Sequence, residues 1–454
     1  MVTKEHIKVE KWKVVLIVLI GIIIGFIFSF SAGSATMILV FTITGVLIYK
    51  YSETSYKKFL LILFITGISS RVVFLFFTHM ALATSGNFYI NFPEYGYITS
   101  IFGDSGYYTF RSWWLSQLAQ GIELPKEVFK EAFVHYGTSN FLRVLAVFHS
   151  LFGFSPISST LINCYLGSLT ALFTFDMTKI MFNPRVAKLS SALVMFFPSL
   201  FIWSLTNLKE TFVIFILILT LYSFIKFYST RKKLYIFLLF ISIVLLPGLR
   251  QGILILMLII LSFTTFIIWK NTKFKKMILV LGLCLLVLIN FGSVIHYLHK
   301  TMIHIANYHK GVVSTGGYVY HLLDSKYYIG ENVRNITYTD FIKMIPKGII
   351  HFSFEPFPWH IKSLSMLLAY SQMLLWYLMA PLSFIGVVIA LRYCPRKCMI
   401  FIIYLIFTTL FLSLSGGNIG TDFRHRDVLT PIVLIFGSLG LLKAIGKINP
   451  EQLS

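Results

Sequence analysis

Acidic residues are scarce in this chain: 454 residues carry 17 Asp and Glu against 39 Lys and Arg. Charged residues of both signs make up only 12%, roughly half the share usual in a soluble domain. With 57% hydrophobic residues and a mean hydropathy of +0.81, a soluble globular protein is excluded. The 4 cysteines, Cys164, Cys284, Cys394 and Cys398, are too few and too scattered for a disulfide framework. Cys394-Pro-Arg-Lys-Cys398 lacks the further ligands of a zinc site and reads as two interfacial thiols. No Gly-x4-Gly-Lys-Ser/Thr phosphate loop occurs, which argues against an ATP-driven transporter. No internal repeat is evident, which argues against transporter folds built from duplicated halves.

What the chain has in abundance is apolar runs. Val14 to Phe30, Phe212 to Ile225, Ile253 to Trp269, Met277 to Phe291 and Pro431 to Leu442 approach or match the length that crosses hydrocarbon, about 20 residues. The pattern predicts an all-α polytopic membrane protein, a single integral membrane domain over residues 1–454. It places 12 crossings, at 14–31, 35–50, 59–82, 158–182, 187–206, 211–228, 234–249, 251–269, 277–297, 365–391, 399–415 and 428–445. The basic stretch Met1 to Lys13 ahead of the first run reads as a signal anchor that stays in place.

A net charge of +22 would suggest nucleic acid in a soluble protein. Here basic residues flanking membrane helices set orientation and meet anionic headgroups, so nucleic acid is not expected as a partner. With the N-terminus inside, the clusters Lys57–Lys58, Arg231–Lys233, Lys273–Lys276 and Arg396–Lys397 all fall on the cytoplasmic side. Phe141 to Phe154 is short and carries Arg143 and His149, so it reads as an interfacial or re-entrant helix. A plasma-membrane protein with both termini cytoplasmic follows, with outer loops at 83–157, 298–364 and 416–427. Pro247 to Gly252 is a tight turn between two runs.

The polar residues that need an explanation lie on that outer side. Asp104 opens an amphipathic aromatic helix, Tyr107-Tyr108-Thr109-Phe110-Arg111-Ser112-Trp113-Trp114, and serves either as its cap or as a base. Lys209 and Glu210 begin another helix as interfacial or functional charges. Arg250 lies between two apolar runs, where a guanidinium fork suits a phosphate. Asp422, Arg424, His425 and Arg426 crowd a glycine-rich turn, Gly416 to Asp427, that reads either as a solvated, ion-paired loop or as a phosphate site. Glu355 sits in a rigid aromatic turn with two prolines. His296, His299, His304, His309 and His321 follow no closed metal-ligand pattern. No cofactor is named by these residues, and a divalent metal stays open.

In order along the chain, these elements resemble the C-type glycosyltransferase superfamily. The resemblance rests on Asp104 with Tyr107, Tyr108 and Gly121, then Leu151-Phe152-Gly153, Asn163 with Gly167, the run from Phe197 to Glu210, and Arg424-His425-Arg426 before Pro431. It implies a membrane enzyme with Asp104 as the catalytic base. Arg250, Arg424, Arg426 and Lys209 would hold the donor phosphate, with Glu210, Glu355, His425 and Asp422 as further site candidates. The implied donor is a polyprenyl-phosphate sugar and the implied acceptor a lipid-linked or cell-surface glycan, met on the outer face among membrane lipids. An oligosaccharide polymerase or ligase using a polyprenyl-diphosphate donor is the neighbouring alternative, and a lipid or glycan transporter the rival of another class.

Overall fold

The computed structural model describes residues 31–85, 89–92, 96–99, 103–126, 128, 139–250, 252–268, 291–314, 318–329, 332–360, 364–449 and 451. The crossing expected at 14–31, nearly all of it, and most of that at 277–297 lie outside the described residues, as do the N-terminal basic stretch, Lys273–Lys276, Cys284 and the His296 side chain.

The apolar runs fold as helices, since a chain in hydrocarbon must satisfy its backbone N–H and C=O groups internally. They are α1 (Ala32–Tyr51), α2 (Thr54–Ser85), α3 (Gly103–Ala119), α4 (Asn140–Phe152), α5 (Pro156–Met181), α6 (Pro184–Phe196), α7 (Pro198–Ser204), α8 (Lys209–Thr230) and α9 (Lys233–Leu245). There follow α10 (Ile253–Ile268), α11 (Phe291–Ser314), α12 (Lys326–Ile329), α13 (Tyr338–Phe354), α14 (Leu364–Tyr393), α15 (Pro395–Ser415), α16 (Ile419–Arg426) and α17 (Thr430–Ala444). A short antiparallel hairpin, Tyr89–Phe92 with Gly96–Thr99, interrupts the helical chain.

Six helices are long and apolar enough to cross a membrane among the described residues, within α1, α2, α5, α8, α14 and α15. The pairs α6–α7 and α16–α17 are bent by 52° and 63°, and counting each as one span gives eight. The chain is a multi-pass membrane protein, with six to eight candidate spans among the described residues against the 12 expected of the whole sequence. The segments at 234–249 and 251–269 do form helices, but of 13 and 16 residues. Gly248 follows the first and Gly252 precedes the second, with φ of 75° and 76°, a left-handed backbone that glycine adopts without strain. The 13-residue α4 is likewise below crossing length.

The chain falls into two compact units. The first comprises Met1–Phe173, Met195–Thr220 and Lys233–Arg250, and the second Thr174–Val194, Leu221–Lys232 and Gln251–Ser454. In the second, α14 and α17 approach through small residues. A Cβ on Gly386 would strike the Phe436 carbonyl oxygen, and one on Gly440 the Leu382 carbonyl oxygen. Close backbone approach of this kind replaces the hydrophobic effect as the source of helix association in lipid. The segment 416–427, expected as a loop, is mostly helix: Asn418 caps α16 by accepting the Thr421 N–H at 3.1 Å, and acid-first, base-last order suits the helix dipole.

Candidate active site

Asp104, Lys209, Glu210 and Arg250 all belong to the first unit. Asp104 lies in the first turn of α3, partly exposed, where the amide dipoles favour a carboxylate. The helix beneath it is pinned by aromatics. Phe110 and Trp114 are 1% and 4% exposed, and Phe110 stacks on Phe154 at 6.0 Å. Tyr107 stays exposed, and the buried Arg111 guanidinium lies 5.5 Å from its ring centroid, a cation–π pair on the Asp104 face of the helix.

A single asparagine ties this helix to the start of α8. The Asn207 N–H donates to Ser105 Oγ at 2.9 Å, and its side-chain Nδ2 donates to Thr109 Oγ1 at 2.9 Å and Ser159 Oγ at 2.8 Å. The Thr160 hydroxyl donates to Asn207 Oδ1 at 3.2 Å. Beside it, Asn163 Nδ2 donates to the Thr206 and Leu208 carbonyls at 2.7 and 2.8 Å. Two buried amides therefore satisfy a turn that would otherwise leave its polar backbone unpaired in an apolar setting.

Arg71 secures the same turn from α2. Fully buried, it donates from Nε to Ser204 Oγ at 2.8 Å and from Nη2 to the Met195 carbonyl at 3.0 Å. Met195 lies in the last turn of α6, where the break at Phe197–Pro198 removes the ordinary helical donors. Arg71 supplies the missing one. The residues that follow, Lys209 and Glu210, open α8. Glu210 is 5% exposed and its Oε2 has no hydrogen-bond partner among the described residues. Arg250 leaves the turn after α9, whose closing carbonyls Leu245 and Pro247 accept from Asn140 Nδ2 at 3.1 and 2.7 Å.

The second unit holds Glu355, Asp422, Arg424, His425 and Arg426. Asp422 is buried, and its Oδ2 accepts the Tyr320 hydroxyl at 2.7 Å and the Gly417 N–H at 3.0 Å. Burial, and then the Asp422 charge, push the Tyr320 phenol well above its usual range, keeping it a neutral donor. Gly416 is required here, since a Cβ would lie 2.5 Å from both Asp422 Oδ1 and the Tyr320 hydroxyl. Arg426 is fully buried, with Nη1 donating to the carbonyls of Ser353 at 3.0 Å and Glu355 at 2.8 Å and its guanidinium 5.0 Å from the Trp376 ring centroid. Arg424 and His425 are partly exposed. His309 is committed too: burial lowers its pKa, Leu322 N–H donates to Nε2 at 3.1 Å, and Nδ1 therefore donates to the Gly416 carbonyl at 2.6 Å. Among the described residues no three His, Cys, Asp or Glu side chains are placed to hold a metal.

Asn207, Asn163 and Tyr320 had not been singled out as site residues, and Arg71 only as a mid-membrane charge that the transporter alternative would need. An amide or arginine inside an apolar helix was the available signal. A transporter would need charges near mid-membrane, such as Arg71 or Asp176; Arg71 is bonded as above, and Asp176 pairs with Lys226 at 3.2 Å.

The family model described as dolichyl-phosphate-mannose-protein mannosyltransferase matches residues 141–297. That stretch, about a third of the chain, runs from α4 to the start of α11 and includes Lys209, Glu210 and Arg250. No curated protein and no solved structure matches the chain. The matched family is one of the C-type glycosyltransferases, and in a multi-pass helical membrane protein a match over this stretch supports an enzyme of glycosyl transfer.

Proposed function

We propose that the chain transfers a sugar from a polyprenyl-phosphate-linked donor to a lipid-linked or cell-surface glycan acceptor on the outer face of the cell membrane, with both termini cytoplasmic. The observation that carries this reading is the match over 141–297 to enzymes named for a dolichyl-phosphate-mannose donor. Asp104 takes the proton of an acceptor hydroxyl as that oxygen bonds to the anomeric carbon, and the bond from that carbon to the carrier's phosphate oxygen breaks. Negative charge develops on the departing phosphate, so cations fixed nearby stabilise the transition state more than the ground state. Arg250 and Lys209 are assigned to that phosphate within the first unit, and Glu210 to orientation of the substrates. In the second unit Arg424 and His425 are the partly exposed basic groups for an anionic carrier, while Asp422, Glu355 and the buried Arg426 hold the segment that presents them.

Arg250→Lys keeps the charge but loses the planar fork. It is expected to raise the donor KM about tenfold, the cost of one charge-assisted hydrogen bond, with the acceptor KM unchanged. Steady-state kinetics against each substrate decides this, and equal effects on both would remove Arg250 from the donor site. Sidedness is tested separately. A cysteine at Thr421 is expected to react with an impermeant maleimide from outside intact cells and one at Ser229 only after permeabilisation, and the reverse pattern would contradict action on the outer face.

A further inference from the structure

Near the end of α13, His351 Nδ1 lies 3.0 Å from Glu355 Oε1. Glu355 is 1% exposed, and its Oε2 accepts the Phe357 N–H at 3.0 Å. The imidazole stacks on Tyr320 at 4.4 Å and 8°, and Tyr320 is itself anchored by its hydroxyl on Asp422. Face and edge of the ring are thereby fixed. With Nδ1 turned to the carboxylate, Nε2 is the nitrogen left over; it makes no hydrogen bond among the described residues, and the His351 side chain is 27% exposed. Phe357 meets the same imidazole at 6.0 Å and stacks on Trp359 at 4.8 Å and 8°. Trp359 is 71% exposed.

An oriented imidazole beside an exposed aromatic shelf combines one hydrogen-bonding nitrogen with a flat apolar surface. A sugar ring has matching needs: its C–H face packs flat on an aromatic ring, and its hydroxyls require partners at the ring edge. An acyl chain would use the shelf and leave the imidazole idle, so the dyad favours a sugar over a lipid tail. We propose that His351, Glu355, Phe357 and Trp359 form a carbohydrate-binding subsite that takes a neutral sugar unit of the glycan acceptor, with His351 Nε2 on a ring hydroxyl and the C–H face over Trp359. Only the identity of that glycan rests on the glycosyl-transfer reading.

The test does not depend on turnover. Diethyl pyrocarbonate acylates accessible imidazoles, and modification of His351 is read by mass spectrometry on the full chain in lipid nanodiscs. The probes are hexyl hexosides and hexyl pentosides, with hexanol as the chain without a sugar. At least one glycoside is expected to slow modification about fivefold, the effect of one hydrogen bond with stacking, with hexanol inert and Trp359→Ala removing the protection. Equal protection by hexanol would mark the shelf as a lipid seat, and no protection by any glycoside would equally overturn the subsite.

The amide variants separate binding from scaffolding. His351→Asn keeps a donor toward Glu355 and loses Nε2, whereas His351→Gln sets its amide near the Nε2 position. Asn is expected to abolish the glycoside effect on Trp359 fluorescence, with an unchanged thermal midpoint, and Gln to retain part of it. The opposite order would make His351 a support for Glu355 and overturn the proposal. Glycoside protection without any sugar transfer would contradict the transfer reading alone, and transfer without protection the subsite alone.

Discussion

Asp104→Asn is expected to leave the fold intact and to slow sugar transfer about 10²–10⁴-fold, the range that a positioned general base contributes. The substitution preserves shape and an oxygen that can still accept from first-turn amides, and Asp104 is partly exposed at the start of α3. Stability should therefore fall by no more than about 1 kcal/mol, the usual worth of such a contact. What disappears is the group that accepts the acceptor's proton. The loss should appear in kcat, with the donor KM little changed, because the interaction develops with the transition state. An unchanged kcat would make Asp104 only a first-turn charge of α3 and move the search for a base to Glu210, buried in the same unit with an oxygen lacking a hydrogen-bond partner among the described residues.

Asn207→Ala is expected to act through structure. Its side chain bonds Thr109 Oγ1, Ser159 Oγ and Thr160 Oγ1, all in a buried setting. Truncation removes these bonds and opens a small void, while the three hydroxyls keep their own bonds to the Ser105 and Pro156 carbonyls. At about 0.5–1.5 kcal/mol for each lost hydrogen bond, a total loss of a few kcal/mol is expected. The thermal midpoint in nanodiscs should drop by several degrees, and turnover should fall in the surviving folded fraction, because the same amide sets Asp104's helix against the start of α8. Asn207→Asp should be worse, since it puts a carboxylate oxygen where Nδ2 now lies 3.3 Å from the Pro156 carbonyl. A midpoint unchanged in both variants would contradict the role assigned to this knot.

Much of the architecture was legible because membrane helices announce themselves locally. Runs of apolar residues correctly foretold α1, α2, α5, α8, α14 and α15, and the amphipathic aromatic pattern foretold α3. Span number was harder. Pro198 breaks one expected crossing into α6 and α7, the glycine turns shorten α9 and α10, and α16 bends away from α17. The Asn418 cap turned an expected loop into helix, although a cap residue three positions before Thr421 was there to be read. The charges of the candidate site are visible in the sequence, and their supports are not. Asp104 and Glu210 stand out as acids in an apolar chain, whereas Asn207 reaching Ser105 and Arg71 reaching Met195 are pairings across about 100 residues or more, which local pattern does not encode. Arg426 illustrates the converse: its sequence context suggested a phosphate ligand, and burial directs its Nη1 to the carbonyls of Ser353 and Glu355.

The most direct measurement of the central claim is sugar transfer by the purified protein in lipid, offered radiolabelled sugars on polyprenyl monophosphate, on polyprenyl diphosphate and on nucleotide carriers with an envelope glycan extract as acceptor. The account predicts labelled glycan from a polyprenyl-monophosphate donor, with release of the carrier phosphate and none from nucleotide sugars. Transfer from the diphosphate carrier alone, or label retained on every carrier, would contradict it.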